Sequence, residues 1–121
     1  MVSNLALTDL IGLQVVEHGR DTRVVTVTGE VDMQTAPELA AVLTAQLTMV
    51  EAVVVDLDGV EFLGSAGLTV LFDASELAAE QNRDLRLVCH CPSINRTLRI
   101  TGLRERFIFV DNVPDLLITS R

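Results

Sequence analysis

The stretch "AVVVDLDGVEFLGSAGLTVLFDASELAAEQ", residues 52–81, decides the fold. Its opening, "AVVVDL" (52–57), is a short and nearly continuous apolar run, the pattern of a strand buried on both faces. From Ser65 the period changes. Residues 65–81 read as a helix with Leu68, Leu71 and Phe72 inward. Residues 58–67, "DGVEFLGSAG", read as the loop between them. A buried strand leading into an amphipathic helix is half of a βαβ unit, and such units imply a parallel sheet.

Upstream, "LIGLQVVEHG" (10–19) and "TRVVTVTGEV" (22–31) are extended, and the turn signal "HGRD" lies between them. In the second run Val25 and Val27 face one way while Thr26 and Thr28 face the other, so the pair reads as a β-hairpin. "TAPEL" opens a helix: Thr35 is placed as N-cap, Glu38 stands at capping-box spacing, and Pro37 falls in the first turn. Leu39, Val42, Leu43, Leu47 and Val50 form its apolar stripe. Downstream, "LRLVC" (85–89) and "FIFV" (107–110) read as strands. Residues 93–103 read as a short helix capped by Ser93 and stopped at Gly102, and 113–118 as a last one.

The predicted order is ββαβαβαβα. It describes one α/β domain over residues 10–121 with a mostly parallel central sheet, covering helices and a loose tail over 1–9. In such sheets functional loops gather at the carboxyl ends of strands. Residues 29–35 and 58–67 are those loops here, and the topology implies that they lie side by side.

Composition narrows the chemistry. The 121 residues include 49% apolar and 21% charged ones, enough for a core and against disorder. Net charge is −8, which repels phosphate backbones and anionic membrane surfaces, so neither nucleic acid nor membrane is an expected partner. There is no Trp or Tyr on which bases would stack. No run approaches the roughly 20 apolar residues of a membrane span, and "MVSNLALTDL" lacks a secretory pattern, so a cytoplasmic protein is expected. Cys89 and Cys91, one residue apart, make neither a disulfide framework nor a four-ligand metal site, and no metal or cofactor is expected.

Ser65, between Gly64 and Ala66-Gly67 at the mouth of a helix, admits four readings. As a nucleophile it needs a base. The histidines are His18 and His90, neither with an evident acidic partner, and "GSAG" is not the G-x-S-x-G elbow. As part of a phosphate cradle it lacks the lysine of a P-loop. As an N-cap it would stabilise the helix by roughly 1 kcal/mol, and on spacing alone this reading leads. The fourth reading is a target for another protein's chemistry.

Two segments carry a family resemblance. "GEVDMQTAPEL" (29–39) is similar to G-E-[LI]-D-x-x-[TS]-A-P-x-L, and "VVVDLDGVEFLGSAGLTVL" (53–71) to V-x-x-D-L-x-x-[LV]-x-F-[LIM]-D-S-[ST]-G-L-x-x-L. At this separation they resemble the STAS domains of small bacterial anti-sigma factor antagonists, over about Leu10 to Ile118. The resemblance implies a non-enzymatic protein that binds an anti-sigma factor with serine kinase activity and thereby frees a sigma factor. It implies that this kinase phosphorylates Ser65, that phosphorylation ends the binding, and that a serine phosphatase restores it. It places Asp32 beside the phosphoacceptor and matches Asp56 to the aspartate ending the central strand. The implied docking surface is Asp32, Met33, Thr35, Asp58, Glu61, Gly64, Ala66, Gly67 and Leu68. Two departures stand out: the residue before the serine is usually aspartate and here is Gly64, and Ala66 replaces the second hydroxyl residue. The rival expectations are a STAS-like scaffold or ligand-sensing module without a phosphate switch, and an enzyme using Ser65.

Overall fold

The alternation of apolar runs and helical stripes is realised as strands and helices in the computed structural model, which describes residues 11–112. Strands β1 (Ile11–Glu17) and β2 (Thr22–Val31) form the hairpin. Helix α1 (Ala36–Met49), strand β3 (Ala52–Leu63), helix α2 (Ser65–Gln81), strand β4 (Asp84–Val88) and helix α3 (Pro92–Ile100) follow. A 3-10 turn (Leu103–Arg106) then leads to the short β5 (Ile108–Phe109). The expected tail over 1–9 and helix over 113–118 lie outside the described residues.

The sheet runs in the order β1-β2-β3-β4-β5, antiparallel at β1–β2 and parallel elsewhere. Each crossover after β2 steps to the next neighbour in the same direction. Right-handed crossovers then place every helix on one face, with no reversal of strand order. The buried residues agree: Leu39, Leu43 and Leu47 of α1, Leu71, Ala74 and Ala78 of α2, and Ile94 and Leu98 of α3 share one core with Val25, Val27, Val53, Val55 and Leu57. The other face carries a small cluster of Val24, Val54 and Val88.

Several expectations are corrected. β3 does not end at Leu57 but continues to Leu63, because β2 goes on pairing with it as far as Val31↔Leu63. The long pairing absorbs two bulges on β3: Thr26↔Asp56 is followed by Thr28↔Gly59, and Gly29↔Val60 by Glu30↔Phe62. Asp58 falls in the first bulge and Glu61 is the extra residue of the second, so most of the expected 58–67 loop is strand and Asp56 is not at its end. Opposite the second bulge Gly29 takes φ 86°, a conformation that favours glycine.

Phe72 is not inward. It is 39% exposed, and the Arg106 guanidinium lies 4.6 Å over its ring. Arg106 also pairs with Glu76, which ties α2 to the 3-10 turn. Pro92 opens α3 with Cys91 at the cap position, two residues before the expected Ser93, because a proline suits the first turn. Gly102 ends the segment at φ 81°, as expected.

Candidate functional site

The site is made where β2 and β3 end together. The Gly64 N–H donates to the Val31 carbonyl at 2.9 Å, the last rung between the two chains. Past that rung β2 turns into a corner at 32–35 and β3 turns into α2. The corner and the helix start therefore face each other across an open cleft of about 630 Å³. Asp32, Met33 and Gln34 line one side; Phe62, Gly64, Ser65, Ala66 and Thr69 line the other. The side-by-side placement expected from topology is what the structure shows.

Ser65 does not cap the helix. Gly64 holds the cap position with extended backbone (φ −85°, ψ −178°), and Ser65 is the first helical residue. The Leu68 N–H makes the first helical bond, to the Gly64 carbonyl at 3.0 Å, so the N–H groups of Ser65, Ala66 and Gly67 have no partner within the helix. The Ser65 residue is exposed, and its hydroxyl makes no hydrogen bond among the described residues. Its carbonyl accepts from the Thr69 hydroxyl at 3.1 Å. The capping explanation of this serine is removed.

Thr35 does not close a capping box either. Only the Glu38 backbone N–H reaches it, donating to the Thr35 carbonyl at 3.0 Å, and the Thr35 hydroxyl turns back into the corner. There Asp32 Oδ1 accepts the N–H groups of Gln34 (2.9 Å) and Thr35 (3.1 Å). Such a turn needs a short acceptor side chain at its first position, which is why aspartate stands there. Met33 rides on the tip, 80% exposed.

The rest of the expected surface divides. Gly67 is buried: a Cβ there would stand 2.6 Å from Leu63 Cδ1 and 2.7 Å from Val31 Cγ1. Leu68 is half-buried against the core. Neither lines the cleft. Asp58 and Glu61 are exposed and do not line the cleft. Asp58 is bound elsewhere: it accepts the His90 N–H at 2.6 Å and meets the His90 Nδ1 at 2.8 Å. His90 thus has the acidic partner that sequence reading did not find, and neither histidine lines the cleft. Phe62, 53% exposed, was the missed member. Its signal was the strand pattern continuing through "VEFL", which places Phe62 opposite in facing to the buried Leu63. Among the described residues no three of His, Cys, Asp and Glu are grouped to hold a metal ion.

Gly64 is not there for its backbone, since any residue adopts these angles. A Cβ would meet the far edge of the exposed Phe62 ring at 3.0 Å and the Val31 carbonyl at an ordinary contact of 3.6 Å. Gly64→Asp should therefore leave the fold intact. An aspartate at the cap gains a few tenths of a kcal/mol over glycine, and losing glycine's freedom in the unfolded chain adds roughly 0.4–1 kcal/mol. We expect denaturant melts to give a change between zero and about 1 kcal/mol in favour of the variant. A loss above 1 kcal/mol would mean that the Phe62 ring is fixed.

The Asp58–His90 pair titrates. Burial works to raise the Asp58 carboxyl, but the His90 N–H and ring outweigh it and hold it below its ordinary value. The Asp58 carboxylate in turn raises the His90 ring. The His90 contribution is full below the ordinary histidine value of 6.5 and is lost as pH rises through its raised value. The Asp58 contribution is full above 3.8 and is lost as pH falls through its lowered value. The stability gap between wild type and Asp58→Asn should thus be widest between these values and shrink at pH 9. Thermal melts across pH check it, and a gap that grows with pH contradicts it. The two thiols differ as their places do: burial pushes Cys89 up, while the Ser93 hydroxyl, 3.3 Å from its sulfur, and the Ile94 N–H lower Cys91.

Comparison with known proteins places this architecture. Residues 13–116 match the STAS domain family. The anti-sigma-F factor antagonist RsfB of Mycobacterium tuberculosis is 32% identical over 114 residues, spanning 93% of this chain and 92% of that protein. An anti-sigma factor antagonist from Mycobacterium paratuberculosis superposes with a TM-score of 0.79 at 34% identity, covering 93% and 94% of the two chains. The Bacillus cell fate determinant SpoIIAA in its phosphorylated form shares the fold, with a TM-score of 0.72 at 15% identity over 91% of this chain and 100% of that one.

Proposed function

The chain belongs to the STAS domain family, and on that premise we propose that it is an anti-sigma factor antagonist switched by phosphorylation of Ser65. Its partner is an anti-sigma factor with serine kinase activity. Docking of the unmodified cleft removes that factor from its sigma factor, and a serine phosphatase reverses the modification. The observation that carries the reading is the Ser65 hydroxyl: exposed, without a hydrogen bond among the described residues and first in α2, on the wall of a cleft that the exposed Met33 and Phe62 also line. The names of the mycobacterial relatives support the antagonist role, and the phosphorylated form of SpoIIAA supports the chemistry.

The physics of the switch is local. A phosphate adds about −1.5 to −2 charge. At the first helical position it faces the unpaired N–H groups and the positive end of the dipole, which stabilises it by about 0.3–1 kcal/mol. The domain tolerates the modification. The partner does not, because it must desolvate a dianion placed across the cleft from Asp32, and an uncompensated buried charge costs about 3–5 kcal/mol. No large conformational change is needed. In this reading the chain binds no ATP and carries out no catalysis; no histidine lines the cleft, and the Ser65 hydroxyl makes no hydrogen bond to Asp32 or to any other group among the described residues.

One observation favours a second reading, a STAS scaffold or ligand-sensing module with no phosphate switch: Gly64 supplies no acidic group beside the serine. Incubation with ATP and the anti-sigma kinases encoded in the same genome separates the two. Phosphate on Ser65, absent from Ser65→Ala, supports the switch; no transfer from any of them supports the module.

A further inference from the structure

Thr35 is 4% exposed, one of two buried polar side chains among the described residues. It cannot touch a visiting protein, yet its hydroxyl is placed with care. A buried hydroxyl is costly unless it is bonded. This one donates to the Glu30 carbonyl at 2.8 Å and accepts the Asp32 N–H at 2.9 Å. It thereby joins the start of α1 to β2 on either side of Val31. The Ala36 N–H closes the corner on the Asp32 carbonyl at 2.8 Å. Asp32 Oδ1 is held inside the same ring by two N–H groups and lies 3.2 Å from the Thr35 hydroxyl, which leaves Oδ2 without a bond among the described residues.

We propose that Thr35 is a positioning residue of the docking cleft: its hydroxyl fixes the corner that aims the Asp32 carboxylate and the Met33 side chain beside Ser65. The inference rests on the docking role proposed for the cleft. Without the hydroxyl, the Glu30 carbonyl and the Asp32 N–H lose their shared partner. The corner then opens to let water reach them, and Asp32 and Met33 sample several directions. A partner must order them again on binding, so the loss falls on affinity. It does not fall on the Ser65 hydroxyl, which α2 holds from the other wall.

The test compares Thr35→Val, which keeps the shape and removes the hydroxyl, with Thr35→Ser, which keeps the hydroxyl. Val54→Ala, on the opposite face of the sheet, serves as a control for lost stability alone. The probe is the anti-sigma kinase that binds the wild-type chain. For Thr35→Val we expect about tenfold weaker binding and a similar rise in KM for Ser65 phosphorylation, with kcat within about twofold. Thr35→Ser restores both values, and Val54→Ala binds as wild type at a temperature where all variants are folded. Thr35→Val binding as tightly as wild type overturns the inference. So does Val54→Ala losing as much affinity, since the effect is then general destabilisation. Failure of the wild-type chain to bind any such kinase overturns the proposed function, and this inference with it.

Discussion

Ser65→Glu should bind the anti-sigma factor at least a hundredfold more weakly than wild type, while Ser65→Ala binds as well as the unmodified protein. The difference isolates charge from shape. Alanine removes a hydroxyl that makes no hydrogen bond among the described residues, so nothing in the domain is left unpaired. Glutamate brings one negative charge to the mouth of α2, beside a cleft whose one charged lining residue is Asp32. In the free protein that charge is well placed, near unpaired N–H groups, and thermal melts of the two variants should agree within about 1 kcal/mol. In the complex it is stripped of water. Even 3 kcal/mol of that cost is more than a hundredfold in affinity, at about 1.4 kcal/mol for each factor of ten. Equal binding by the two variants, measured by calorimetry, would refute the charge mechanism.

The largest loss of stability is expected at Gly67. A leucine there must insert its Cβ 2.6 Å from Leu63 Cδ1 and 2.7 Å from Val31 Cγ1, and both neighbours are buried. Overpacking of this kind costs about 1–3 kcal/mol, and a full leucine belongs at the upper end. Helix propensity opposes the loss, since glycine is roughly 0.8–1 kcal/mol worse than alanine inside a helix. The clash wins because Val31, at the last pair of β2 and β3, is β-branched and fully buried, with no room to turn. Gly67→Leu should lose about 2 kcal/mol net in urea melts, and Gly67→Ala less. The damage reaches function, since Val31 and Leu63 are the residues from which the corner and the helix depart. A Gly67→Leu protein as stable as wild type would show that the packing of Val31 and Leu63 around it is loose.

The core was the most legible part of the sequence. Valines at 53–55 and the leucines at 39, 43 and 47 obey simple periods, and each is at most 1% exposed. Helix α2 was legible over residues 65–81, although Phe72, read as inward, is exposed. What period alone does not encode is where a strand stops. β3 runs six residues past Leu57 because β2 remains available to pair, and its two bulges shift the facing of Asp58, Glu61 and Phe62. The expected site inherited that error: acidic residues read as loop charges beside Ser65 are bulge residues, and one of them is engaged with His90 across a sequence gap of 32. Phe62 went unnoticed for the same reason. Thr35 shows another limit. Its type and spacing fit a cap, but a tertiary acceptor, the Glu30 carbonyl, takes the hydroxyl first. Ser65 shows the converse, since the backbone before it makes glycine the cap and frees the hydroxyl.

The central claim is that a single hydroxyl at the start of α2 decides whether a partner docks. Its most direct test is to incubate the protein with the anti-sigma kinase and ATP, map the phosphate by mass spectrometry, and measure the affinity of the purified product. One phosphate on Ser65 and binding weakened at least a hundredfold is the predicted result; phosphate on another residue, or a Ser65-phosphorylated chain that still binds tightly, would contradict it.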